Sequence, residues 1–155
     1  MMPKVASAVQ DYYLDDSAHC FGCGRLNAAG YRLKTIREGE ETVTRFTPAP
    51  EHTALPGFVY GGLIASLLDC HGTATAAIAA LGKAGQEVGD GPAPRFVTAS
   101  LSVDYLKPTP LGAELEIRGR AVEIGDRKVI VEAALAANGV VTARGRVVAV
   151  RVREN

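Results

Sequence analysis

The stretch VYGGLIASLLDCHGTATAAIAAL, Val59 to Leu81, constrains this chain more than any other. It is long and apolar enough to form one buried helix, yet it carries a carboxylate, Asp69, near its middle. Between Gly61 and Gly82 the only charged or readily protonated side chains are Asp69 and His71, with Cys70 between them as a weaker candidate. A bilayer span needs about 20 apolar residues, so length alone would permit one. A central aspartate costs about 2.5–3.5 kcal/mol on insertion scales. Glycines at 61, 62, 72 and 82 interrupt the stretch, and no second span follows. The reading is a core helix of a protein that does not enter a membrane.

At about 100° per residue, Ile64, Leu67, Leu68, His71, Thr75 and Ile78 share one face. That stripe is expected to pack on a sheet. Asp69 lies about 140° from Ile64 by the same rule, among Gly62, Ala65, Ser66, Gly72, Thr73 and Ala76. A solvent-facing helix would carry Lys, Glu or Gln there, whereas small residues admit another backbone or a slim ligand. Asp69 is therefore expected at or near a subunit interface, with a partner chain covering apolar surface that one sheet and one helix leave open. His71 lies about 200° from Asp69, so the two do not share one site, and His71 reads as a core or interface histidine.

The rest of the chain reads as strands. Tyr31 to Ile36 and Thr42 to Phe46 flank Arg37-Glu38-Gly39-Glu40, a hairpin pattern. After the helix, GKAGQEVGDGPAP is a Gly/Pro-rich connection without periodicity. Val97, Ala99, Leu101, Val103 and Tyr105 then alternate with polar residues, as in a half-buried strand. Glu114 to Ile124, Lys128 to Ala137 and Val140 to about Val152 follow, with Asn138-Gly139 as a type I′ turn pair. A hairpin, one long helix and a strand meander suggest an α+β domain, an antiparallel sheet with a helix on one face.

With 155 residues, of which 47% are hydrophobic, the chain suits one domain over 1–155, residues 1–19 forming an extension of uncertain structure. Seventeen basic residues balance seventeen acidic ones, so the basic footprint of a nucleic-acid binder is missing. Arg144 and Arg146 share one strand parity and Arg151 and Arg153 the other, which suits a solvated face rather than a phosphate-binding stripe. Three cysteines are an odd count for a disulfide framework, and the N-terminus has no signal-like apolar run. A reduced cytoplasmic protein is expected. Cys20-Phe21-Gly22-Cys23 resembles half of a zinc site or a redox pair, but no second Cys pair exists, and His19 and His52 complete no recognised ligand spacing. It reads as a packed loop with no metal.

Three segments together resemble the hot-dog-fold acyl-CoA thioesterases, in the branch related to phenylacetyl-CoA-type (PaaI-like) thioesterases. They are CFGCGRLNAAGYRL (Cys20 to Leu33), Tyr60-Gly61-Gly62 with Asp69 nine positions after Tyr60, and YLKPTPLG (Tyr105 to Gly112). The resemblance implies a sheet wrapped round a long helix, and a homodimer or dimer of dimers with active sites between subunits. It also implies an acyl-CoA substrate, with coenzyme A as part of that substrate and no other cofactor. The Gly61 backbone N–H would polarise the thioester carbonyl, with Gly62 beside it at the positive helix end, which suits a developing oxyanion. Asp69 would act as general base on water, or as nucleophile through an anhydride. Thr73, one turn on, would orient the carboxylate. The resemblance also points to Thr98, from the partner subunit, although strict strand alternation turns Thr98 away from the apolar face. The family's usual His is Tyr60 here, which keeps a hydrogen-bonding hydroxyl but carries no charge near neutral pH.

Two other functions compete. A hot-dog hydratase or dehydratase would pair an acid with a His in one site, which the offset of His71 disfavours, leaving His52 as the alternative. A non-catalytic acyl-CoA-binding module is suggested by Tyr60, though no DNA-binding helix pair accompanies the domain.

Overall fold

The computed structural model describes residues 6–153. Strands β1 (Thr35–Glu38) and β2 (Glu41–Phe46) form a hairpin ahead of helix α1 (Gly61–Lys83). Strands β3 (Phe96–Tyr105), β4 (Leu115–Ile124), β5 (Lys128–Ala137) and β6 (Val140–Arg151) follow it. All pairings are antiparallel, in the order β1-β2-β4-β5-β6-β3. This is the hot-dog arrangement, a six-stranded sheet curled about one long helix. Because β3 closes the order next to β6, one of its edges is unpaired within the chain.

Local chemistry accounts for most of these elements. Asn138 and Gly139 both take positive φ (51° and 78°), the conformation a type I′ hairpin turn demands and that Asn and Gly tolerate best. The β1 expectation needs correction, because Tyr31 to Lys34 is not strand. Arg32 adopts a left-handed φ of 51°, and Tyr31 and Leu33 donate their N–H groups to the carbonyls of Phe21 and Gly22. Their alternation serves the CFGC loop instead of the sheet.

Helix α1 has the length and apolarity of a membrane span, yet 72% of its most apolar window is buried in the fold. Leu63, Ile64, Leu67 and Leu68 pack with Leu115, Ile117, Leu135 and Ala143, while Ala74, Ala77 and Leu81 pack with Val129, Val131 and Ala149. The N-terminal segment, with 3-10 turns at Val9–Tyr12 and Asp15–Ser17, belongs to this second cluster through Val9, Tyr13 and Ala18.

Burial also corrects the small-residue face. Gly72, Thr73 and Ala76 are buried by the chain's own elements, and a Cβ on Gly72 would come within 2.5 Å of a Val147 methyl. Of that face Gly62, Ala65, Ser66 and Asp69 stay half-buried, so the part of it left for a partner is in the first half of the helix.

His71 is fully buried between α1 and the sheet. Its Nδ1 lies 2.7 Å from the Thr44 hydroxyl and its Nε2 3.1 Å from that of Thr42, in a network continuing to Thr75, Thr35 and Gln10. Burial lowers its pKa to about 3, so it is neutral and structural at ordinary pH.

Candidate active site

The three motif segments converge on the first half of α1. Tyr60 caps the helix in extended conformation, its N–H donating to the His52 carbonyl (2.9 Å) and its carbonyl accepting from Leu63 and Ile64. The strand-turn segment clasps the same corner, since Val59 donates to the Thr109 carbonyl (2.8 Å) and Leu111 to that of Gly57 (2.9 Å). Among the described residues no side chain caps the helix, and the first N–H groups of any helix lack intrahelical acceptors. Gly61 and Gly62 thus present donors at the positive end of a 23-residue helix.

Two tyrosine rings frame these glycines. A Cβ on Gly62 would collide with the ring of Tyr60, which is 56% exposed, and one on Gly61 would sit 3.5 Å from the ring of Tyr105. The Tyr105 hydroxyl donates to the Gly61 carbonyl at 2.8 Å, leaving the Gly61 N–H untouched. Tyr105 was visible in the strand-turn motif, but nothing in its local pattern marks it as a neighbour of Gly61.

Asp69 is half-buried, and the Thr98 hydroxyl donates to its Oδ1. This corrects the expectation for Thr98 twice. The contact lies within one chain, without a partner subunit. Strict alternation also fails, because the β3–β6 register shifts between Thr98 and Ser100. The extra residue sets Phe96 and Thr98 on the helix side before the shift and Leu101 and Val103 after it, while Val97 and Ala99 turn outward. The Thr73 hydroxyl, expected to orient the carboxylate, donates instead to the Cys70 carbonyl at 3.2 Å.

No histidine bonds Asp69 among the described residues. His71 is held by threonines, and His52 accepts the Ala49 N–H on Nδ1 (2.9 Å) at the Gly61 end, against Tyr31 and Phe46. The site therefore offers two separate functions along one helix: backbone donors at Gly61 and a hydrogen-bonded carboxylate at Asp69. Eight residues at 1.5 Å each put them roughly 12 Å apart along the axis, too far to act on one carbonyl carbon.

The CFGC loop meets the helix at Cys70, the residue after Asp69. Cys20, Cys23 and Cys70 bring their sulfur atoms within 4.8 Å of one another, with Cys20 and Cys70 at 3.9 Å. Spacing arguments missed this group because the third thiol comes from the helix. The Cys20 thiol is drawn far below the usual range by hydrogen bonds from the Cys23 and Cys70 thiols. Cys23 is pushed up to about 11, chiefly by the same contact with Cys20, and Cys70 is also raised.

Residues 56–143 match the family model described as the thioesterase superfamily. A thioesterase superfamily protein of Shewanella loihica PV-4, known from its crystal structure, is 48% identical, with 91% of this chain and 100% of that one covered and a TM-score of 0.69. The smu.793 protein of Streptococcus mutans, crystallised with acetyl CoA, shares the fold at 22% identity, with 79% of this chain and 90% of that one covered and a TM-score of 0.58. The acyl-coenzyme A thioesterase THEM4 of Xenopus laevis is 34% identical over 87 residues, which are 56% of this chain and 33% of that protein, so the match spans a third of its length. With more than half of its length in the family model and a near-full-length relative at this identity, the chain belongs to the thioesterase superfamily.

Proposed function

We propose that this protein hydrolyses an acyl-CoA thioester to a free acid and CoA, in the cytoplasm, as a homodimer or a dimer of dimers. The observation that carries the reading is the ionisable Asp69, held by Thr98 on the half-open flank of α1. Membership of the thioesterase superfamily and the acyl-coenzyme A thioesterase named among its relatives support the substrate class.

The separation of roughly 12 Å along the helix between Gly61 and Asp69 favours composite sites. In each, the Gly61 N–H of one protomer polarises the thioester carbonyl while Asp69 of the other acts on the carbonyl carbon. The free edge of β3 offers the seam, since it is ten residues long, exposes Val97 and Tyr105, and carries Thr98. Asp69 works as general base on water or as nucleophile, Thr98 holds it, and the hydroxyl of Tyr60 lies against Gly62. The cofactor requirement is none beyond the CoA of the substrate.

A panel of acyl-CoA and acyl-carrier-protein thioesters, assayed for free thiol release, tests this directly. A parallel hydration assay on enoyl-CoA separates the hydratase reading, for which no acid–histidine pair forms among the described residues. Binding of acyl-CoA without release of thiol from any member of the panel would favour the binding-module reading.

A further inference from the structure

We propose that Cys20, Cys23 and Cys70 form a binding site for one thiophilic metal ion, zinc(II) being the best match, which clamps the N-terminal CFGC loop to the central helix. The inference is independent of the catalytic reading. A tetrahedral zinc with Zn–S bonds of about 2.3 Å requires sulfurs about 3.8 Å apart. The Cys20–Cys70 separation is 3.9 Å, and no pair in the trio exceeds 4.8 Å, so closure needs inward shifts of at most about 1 Å.

The surroundings are shaped for this approach. A Cβ on Gly22 would collide with the Cys70 sulfur, and one on Gly24 would come within 2.5 Å of the Ala18 carbonyl oxygen, so the loop closes over the helix only with glycine at both positions. Cys23 and Cys70 are buried while Cys20 is partly exposed, which leaves an entry path, and water would take the fourth position of a tetrahedral ion. A second observation points to a ligand. The Tyr13 hydroxyl is the one buried side-chain polar atom without a partner among the described residues. Tyr13 is 2% exposed and lies within electrostatic reach of all three cysteines. A buried phenol O–H with no acceptor in hydrogen-bonding position is accounted for if it donates to the water that would complete a bound metal's shell. On binding, three S–Zn bonds form and the thiol protons still present leave to solvent, with no change of oxidation state.

The test uses the full chain, reduced, stripped with a chelator and handled without oxygen, with thiol titration confirming three free cysteines. Zinc is then titrated against a chromophoric chelator, and cobalt(II) is substituted to read thiolate-to-metal charge transfer. One equivalent per chain is expected, with melting raised by roughly 5–10 °C at a hundredfold excess over Kd. Cys20→Ser, in the partly exposed loop, should lose the charge-transfer band and the melting shift while remaining folded. Tyr13→Phe should bind zinc about 10–100-fold more weakly while its metal-free form melts no lower than wild type, since only an unpaired hydroxyl is lost. No stoichiometric zinc in the verified reduced protein, or equal affinity in wild type, Cys20→Ser and Tyr13→Phe, would overturn the site.

Discussion

Replacing Asp69 by Asn isolates charge from shape at the centre of the proposed site. The Asn Oδ1 can still accept the Thr98 hydroxyl that Asp69 accepts now, so the β3–α1 tie persists. Exchanging a charged acceptor for a neutral one costs about 1 kcal/mol, because charge-assisted bonds contribute about 1.5–3 kcal/mol and neutral ones about 0.5–1.5. For a chain of this size that is a fall of roughly 2–4 °C in melting temperature. Catalysis should suffer far more. Positioned general-base catalysis contributes about 10²–10⁴-fold, equivalent to about 2.7–5.4 kcal/mol of barrier, and loss of a nucleophile costs at least as much. The assay is thiol release from the best acyl-CoA of the panel, with circular dichroism and sedimentation to verify fold and assembly. Loss in kcat with nearly unchanged KM is expected. Turnover within about threefold of wild type in a folded Asp69→Asn protein would refute the assignment. Single-turnover hydrolysis in ¹⁸O water then separates the routes: label in the Asp69 carboxylate indicates an anhydride, and label only in the product acid indicates direct attack by water.

Thr98→Val should lower kcat at least about tenfold, equivalent to the charge-assisted bond it removes, and Thr98→Ser should restore it; equal rates in all three would remove Thr98 from the site. Gly72→Ala should destabilise by about 1–3 kcal/mol through collision with Val147, whereas Gly82→Ala, with open space around it, should stabilise by about 0.5–1 kcal/mol; calorimetry giving the same sign for both would contradict the packing described. Because burial lowers the pKa of His71 to about 3, the unfolded chain binds the extra proton between about pH 6.5 and 3, so this contribution is complete above about pH 6.5. It should be lost on acidification by up to about 1.4 kcal/mol per pH unit, and a His71→Gln protein whose denaturant stability follows the same slope would disprove it. Sedimentation should show at least a dimer of the 16.3 kDa chain, and a fully active monomer at micromolar concentration would defeat the composite site.

What the sequence by itself determined was whatever depends on neighbours close along the chain. The apolar run around Asp69, the Asn138-Gly139 turn and the extents of β4 to β6 are set by helix period, turn dihedrals and strand propensity, each acting over a few residues. The motif segments marked Gly61 and Asp69 for the same reason, as fixed spacings on one helix. Tertiary structure decided the rest. The bulge that turns Thr98 toward Asp69 is a register adjustment between β3 and β6, and strict alternation cannot foresee an inserted residue. Gly72 and Ala76 looked like an open face because helix geometry gives direction without saying what arrives there, and β6 and the N-terminal segment arrive. Cys70 joins Cys20 and Cys23, and Tyr105 reaches Gly61, because curling the sheet about α1 closes long loops, and such contacts carry no local signature in the chain.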